Sequence, residues 1–371
     1  MERLILSAKR WLTVLALLGS VTLAGQDPSL TNFHITKNYL NPAYAGHTQD
    51  FSLSLDNRLQ WVKISKFKKF NNYNMAANVG CENVKLGFAF YANDNVEGEG
   101  LLRSTSAGFQ VARYWPFDYS GNGSRRKTNS SVIAAGIQFG LGQKRLDWEK
   151  LVFSDQLSNA TYHMVRGTSV VSPQNKTTEF RMDLGGGARF LTELGKHKRA
   201  SLSAGAAFFH VFTNQESFFS DNSDITRPTR YSGHVFYNQP LGPSTLTNWA
   251  GSLGGVYNRQ AGVNTFTLMS YAAYASSVRL GVGYRGKDKG LPDAIVIQPT
   301  YRGEDIFGNN DWLFSLSYEI STLSSVGQQR SSGTIEFGLI ISFANSAFCK
   351  SGDIHCFYPN REMKKQNLWG Y

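Results

Sequence analysis

The chain has 371 residues, 41% hydrophobic and 13% aromatic, with 36 Gly, 10 Pro and a formal net charge of +11. So much aromatic and glycine content beside so little proline favours strands joined by tight turns over helices. Beyond the first two dozen residues no apolar run reaches the ~20 residues of a transmembrane helix, which excludes a helical inner-membrane protein and leaves strands as the means of spanning a bilayer. The mean hydropathy of -0.30 does not contradict this, because lumen-facing polar and lipid-facing apolar residues cancel in a barrel.

In chain order, residues 1–25 predict a signal peptide. Arg3, Lys9 and Arg10 form a basic region, an apolar run begins at Trp11, and Ala24 and Gly25 are small, which predicts cleavage just before Gly25 or Gln26. No Cys stands at that junction, so no lipid attachment is expected. Losing Arg3, Lys9, Arg10 and Glu2, three positive charges and one negative, lowers +11 to +9. A surplus of this kind usually meets nucleic acid, which an exported chain does not encounter. Acidic lipid headgroups or an acidic protein are the expected partners.

Residues 26–50 neither alternate nor show helical periodicity. Pro42 fixes its own backbone, while Asn41, Tyr44 and Gly46 suit a turn carrying an aromatic side chain. The segment is expected to be a periplasmic or plug-like element that seals or docks a barrel.

From residue 51 to residue 343 alternation of period two recurs. The clearest stripes are Val84 to Phe90, Ile133 to Leu141, Val278 to Tyr284, Trp312 to Ile320 and Ile335 to Phe343. With weaker segments the count is about fourteen strands; residues 202–212 are apolar in both phases. A soluble β-sandwich also alternates. The number of consecutive strands, the lack of helical patterns between them, and Trp61, Trp115, Trp249 and Trp312 near strand ends favour an all-β, antiparallel transmembrane β-barrel. An even strand count puts both ends on the periplasmic side, and the connections at 143–179, 213–230 and 321–334 then lie outside. Residues 115–130 fit this register poorly, as a long periplasmic turn. In the first strand Arg58 and Gln60 share the phase opposite Leu59 and Trp61, which predicts that Arg58 and Gln60 face the lumen and hold the turn from Asn41 to Gly46.

Residues 344–371 form an expected periplasmic C-terminal tail, aromatic enough to dock. Its Cys349 and Cys356 are the candidate disulfide, and Cys81 is the odd cysteine. Signs of chemistry are few. The seven His show no metalloprotease spacing, His355 beside Cys356 does not complete a zinc set, and His210 has no partner in sequence. Glu97 and Glu99 flank a loop glycine, and Asp183 precedes Gly185, Gly186 and Gly187 without a strand-to-helix junction. Neither makes a glycosidase pair nor a phosphate cradle. No enzyme activity, metal or cofactor is expected.

Several motifs are similar to those of a known family. Gln26-Asp27-Pro28, then Asn41-Pro42-Ala43-Tyr44-Ala45-Gly46, resemble the opening signature of the PorP/SprF outer-membrane proteins of Bacteroidetes. Arg58-Leu59-Gln60-Trp61 is similar to the family's Arg-x-Gln-Trp motif, and Leu146-Asp147-Trp148 with Phe153 to Leu157 to its long-loop signature. Tyr284-Arg285-Gly286, Tyr318-Glu319-Ile320-Ser321 and Gly333-Thr334-Ile335-Glu336 resemble the closing strands, with Thr334-Ile335 for the usual Ser-His and Glu319 for the usual Asp. The resemblance implies a non-catalytic outer-membrane component of the type IX secretion system, supporting protein secretion or the surface attachment of secreted proteins such as gliding adhesins. Its partners would be outer-membrane lipid, other components of that system and secreted clients. A passive porin or small-solute uptake channel is the alternative.

Overall fold

The computed structural model describes residues 25–48, 50–62, 70–81, 84–119, 129–153, 156, 176–194, 200–212, 218, 226–241, 249–275, 277–288, 291–306, 310–322 and 333–343. Fourteen strands follow one another in chain order: β1 Ser52–Leu59, β2 Phe70–Cys81, β3 Leu86–Glu97, β4 Leu102–Tyr119, β5 Asn129–Arg145, β6 Arg181–Leu194 and β7 Ala200–Phe209. The second half comprises β8 Arg230–Pro240, β9 Trp249–Gln260, β10 Val263–Tyr274, β11 Val278–Lys287, β12 Leu291–Ile306, β13 Asn310–Ser321 and β14 Thr334–Phe343. Each strand pairs antiparallel with its neighbour in sequence, and β1 closes the ring on β14 in an unbroken register from Ser52↔Ser342 to Leu59↔Ile335. Closure leaves no strand with unpaired N–H and C=O groups facing lipid.

The alternation decides which face meets which solvent. On β5, Ile133, Ile137, Phe139 and Leu141 are exposed, while Val132, Ala134 and Gln138 between them are buried. Ile137 is 66% and Phe109 64% exposed, whereas the buried lumen phase carries Asn72, Arg189, Gln298, Glu319 and Glu336. Apolar outside and polar inside is the reverse of a soluble sandwich and suits a hydrocarbon surround. Aromatics mark both ends of this outer band, with Trp115, Trp249 and Tyr274 near one and Trp61, Tyr257 and Tyr318 near the other.

The connections after β5, β7 and β13 fall at one end, the long-loop end, and both barrel termini at the other. Of the long turn expected over 115–130, residues 115–119 belong to β4, which runs on to Tyr119, and residues 129–130 to β5, which starts at Asn129; residues 120–128 lie outside the described residues. The apolar ambiguity at 202–212 resolves as β7, with Phe208 outward and Phe209 buried.

Residues 30–48 are packed inside the ring. This leader touches walls on opposite sides: Glu336 on β14, Asn78 on β2, Ala188 on β6 and Arg230 on β8. Its beginning lies at the long-loop end, where the Asp27 amide donates to Gln260 at the end of β9. Its turn at Gly46 lies at the opposite end against Gly87. The segment expected as a periplasmic or plug-like element runs along the polar inner wall, where its amide and hydroxyl groups find partners. The wall makes room with glycine. A Cβ on Gly87 would lie 2.0 Å from the Ala45 carbonyl oxygen, and one on Gly136 would lie 2.5 Å from that of Pro42.

The tail, with Cys349 and Cys356, falls outside the described residues. Cys81, at the end of β2, is disulfide-bonded. Since Cys349 and Cys356 are the chain's only other cysteines, a bridge closed between those two and the bond at Cys81 exclude each other within one chain.

Candidate functional site

The leader and the side chains that hold it form the site, in three tiers from the terminal end to the long-loop end. In the lowest tier Pro42–Tyr44 form a 3-10 turn, with proline at a position where its missing N–H costs nothing. The Asn41 side-chain oxygen accepts from the Ala43 amide at 2.9 Å, and its amide nitrogen donates to the carbonyls of Ala188 at 3.0 Å and Ala206 at 3.2 Å. Tyr44 is 1% exposed, its hydroxyl 3.1 Å from His234 Nε2 and its ring 4.3 Å under the Arg189 guanidinium. Tyr114 donates to the Ala45 carbonyl at 2.6 Å. Just above, Lys37 Nζ lies 2.8 Å from His47 Nε2, and His47 Nδ1 lies 2.9 Å from the Tyr44 carbonyl. A neutral His47 donating from Nδ1 and accepting at Nε2 satisfies both contacts.

The middle tier is ionic. Arg58 reaches Glu319 Oε2 and Glu336 Oε2, each at 2.7 Å. Arg285 bridges Glu319 at 2.8 Å and Asp293 at 2.6 Å. The leader completes this network: Glu336 accepts from the backbone amides of Thr31 at 2.9 Å and Asn32 at 2.7 Å, and the Thr31 hydroxyl donates to Glu319. Arg58, Glu319 and Glu336 are all at most 3% exposed. Charges this deep hold their geometry only while each has its partners, so the leader is one of the conditions of the network.

In the upper tier the Asp27 carboxylate receives His210 Nε2 at 2.7 Å and Arg227 at 2.5 Å, with Arg230 at 3.4 Å. The other His210 nitrogen faces Asp183 at 2.8 Å. Burial works to raise the Asp27 carboxyl, but Arg227, His210 and Arg230 outweigh it and hold it well below the usual carboxylate range. Burial likewise works to lower His210, and the two carboxylates overcome it and raise the imidazole above its ordinary value.

The residues picked out in sequence divide between tiers. Asn41, Pro42, Tyr44 and Gly46 lie together in the lowest. Arg58 faces the lumen as its phase predicts, yet it grips Thr31 rather than the turn at 41–46. The reason is direction: β1 starts beside that turn and climbs away from it, so Arg58, near its far end, meets the earlier part of the leader. Gln60 and Trp61 lie past the end of β1; Trp61 is 36% exposed and stacks edge-on with Phe70 at 4.8 Å. Sequence reasoning missed Asp27 and Asp183 as partners of His210, and missed that Glu319 and Glu336 meet Arg58. Their signal was charge in the phase opposite Tyr318, Ile320, Ile335 and Phe337.

Among known families, the pattern of the type IX secretion system membrane protein PorP/SprF matches residues 22–341. The chain belongs to the PorP/SprF family. This PorP/SprF protein is thus a type IX secretion system membrane component, and with a β-barrel fold its place is the outer membrane. A search of the curated proteins finds no match. Solved structures similar to it include the CymD monoaromatic hydrocarbon channel, at 12% identity and TM-score 0.40 over 87% of this chain and 95% of that one. Others are Omp33 of Acinetobacter baumannii, at 10% identity and TM-score 0.39 over 80% and 98%, and a Pseudomonas aeruginosa FadL homologue, at 9% and 0.37 over 81% and 91%. Among the described residues of the PorP/SprF chain no cluster of three His, Cys, Asp or Glu is placed to hold a metal ion.

Proposed function

We propose that the protein is a non-catalytic component of the type IX secretion system that supports secretion, surface attachment of secreted proteins, or both, and that its barrel serves as a closed platform rather than a conduit. The observation that carries this reading is the leader, which binds opposite walls of the lumen at three levels and occupies the path a solute would take. A passive porin needs that path open. The test is a chromosomal deletion, complemented by the full chain, with the secreted and surface-bound proteins quantified by mass spectrometry. Loss or surface release of a set of secreted proteins is expected; an unchanged set, together with loss of sugar uptake, would establish the porin instead. Other components of the system are the expected partners in affinity purification from native membranes. The tail at 344–371 is the proposed periplasmic docking element, with its basic residues Arg361, Lys364 and Lys365 offered to an acidic partner. Deleting residues 346–371 is expected to leave an assembled barrel that loses those partners, whereas a barrel that retains every partner would refute tail docking.

A further inference from the structure

Between the leader and the wall of β2, β3 and β4 the long-loop mouth holds a cavity of about 130 Å³, close to the ~150 Å³ in which an engineered protein cavity accommodates a benzene ring. On β2, β3 and β4 its wall carries a band of carboxamides and hydroxyls, Asn72, Asn74, Asn93, Asn95, Ser104 and Ser106, two from each strand, beside the apolar Met75, Ala76 and Leu102. Four carboxylates also line it, from Asp27, Asp56, Glu97 and Asp183. Four fixed cations, Lys144, Arg181, Arg227 and Arg230, and the His210 imidazole face them. Groups of both signs therefore line the cavity, and fixed charge alone favours neither an anion nor a cation. What it offers is a dense set of donors and acceptors beside the rings of Tyr39 and Tyr91. Asn74 leaves a buried oxygen of this wall unused: it donates its amide to Asn72 at 2.5 Å, which fixes the amide and leaves Oδ1 without a partner at 7% exposure. Unmet buried acceptors are costly unless a donor arrives.

We propose that this cavity binds a neutral sugar unit, a hexose or its N-acetyl derivative. Adjacent hydroxyls on a pyranose each donate and accept, which suits carboxamides that carry both functions, and the C–H face of the ring suits an aromatic side wall. A free saccharide and the glycan of lipopolysaccharide present this same chemistry at the mouth of an outer-membrane barrel. The proposal is independent of the secretion role.

The test is calorimetry on the full mature chain in a detergent without a sugar headgroup, titrated with glucose, galactose, mannose and N-acetylglucosamine, with purified core oligosaccharide, and with inorganic phosphate. Saturable binding of at least one sugar is expected. Asn74→Ala should weaken it about tenfold, the loss of one buried hydrogen bond, and Ser104→Phe, filling the cavity from β4 in the same wall, should abolish it. Both variants are first shown to keep their heat-dependent gel mobility. Tighter binding of the core oligosaccharide than of any monosaccharide assigns the lipopolysaccharide glycan, and the reverse assigns a free sugar. Absence of saturable sugar binding, unchanged affinity in the folded variants, or saturation by phosphate alone would overturn the proposal.

Discussion

At the scale of single residues the leader is held by groups whose charge state matters. The Arg58, Glu319 and Glu336 cluster is almost fully buried, so Arg58→Ala leaves Glu336 without its cation beside a Glu319 that keeps only Arg285. The expected cost is about 3–5 kcal/mol of barrel stability, read as a lower urea midpoint of heat-modifiable protein, together with faster proteolysis of the leader near Thr31. Arg58→Lys keeps the charge without the fork and should recover only part of the loss. A variant with unchanged midpoint and unchanged proteolysis would show that the cluster does not hold the leader. At the upper tier the sign follows from the direction of each shift. His210 is raised, so its contribution is complete below its unfolded value of about 6.5 and is lost as pH rises through its higher folded value. Asp27 is held low, so its contribution is present above its unfolded value of about 3.9 and fades only in stronger acid. Facing these two are Asp183, Arg227, Arg230 and Tyr39, and the arginines stay charged throughout. Protection of the amides of Asp27, Ser29 and Leu30, the exchange rate taken relative to the intrinsic rate at each pH, is thus expected to be greatest in mildly acidic buffer and to fall above neutrality, and His210→Gln should remove that fall. Protection that stays flat from pH 5 to pH 9 in the wild type would contradict the latch.

At the scale of elements the fit between leader and wall depends on backbone approach. The close contact of Gly87 with Ala45 and of Gly136 with Pro42 involves backbone atoms that cannot swing aside. Gly136→Val is therefore expected to let the barrel close while expelling the turn at 41–46, seen as protease cleavage near Tyr44 in folded, heat-modifiable protein. Protection equal to wild type would mean that the wall yields instead. Much of this element level was legible in the sequence. The period-two stripes located strands correctly even where β7 was apolar in both phases, because the ring of pairings fixes which of two apolar faces turns outward. The 115–130 connection was legible only in part: strand pairing carries β4 to Tyr119 and starts β5 at Asn129, ends that the alternation of side chains did not mark. The fate of Cys81 was not legible either, since cysteine spacing along the chain says nothing about distance across a ring.

At the scale of the whole molecule, a lumen crossed by the leader is expected to conduct poorly. In planar bilayers the intact chain should show little steady conductance, and a chain lacking residues 27–48 should either open steadily or fail to close its ring, outcomes that gel mobility separates. Steady porin-like conductance from the intact chain would refute the closed-platform reading. The amino-acid sequence by itself determined the export signal as an expectation, the all-β class, the strand number and the family resemblance, because each rests on local periodicity or on short ordered motifs. Only the tertiary structure decided where the leader runs and what grips it. Asp27 meets His210, and Thr31 meets Glu336, across separations of 183 and 305 residues. Closure of a fourteen-strand ring brings the first and last strands together, and no local pattern in a sequence records which inward side chains then face one another across the lumen.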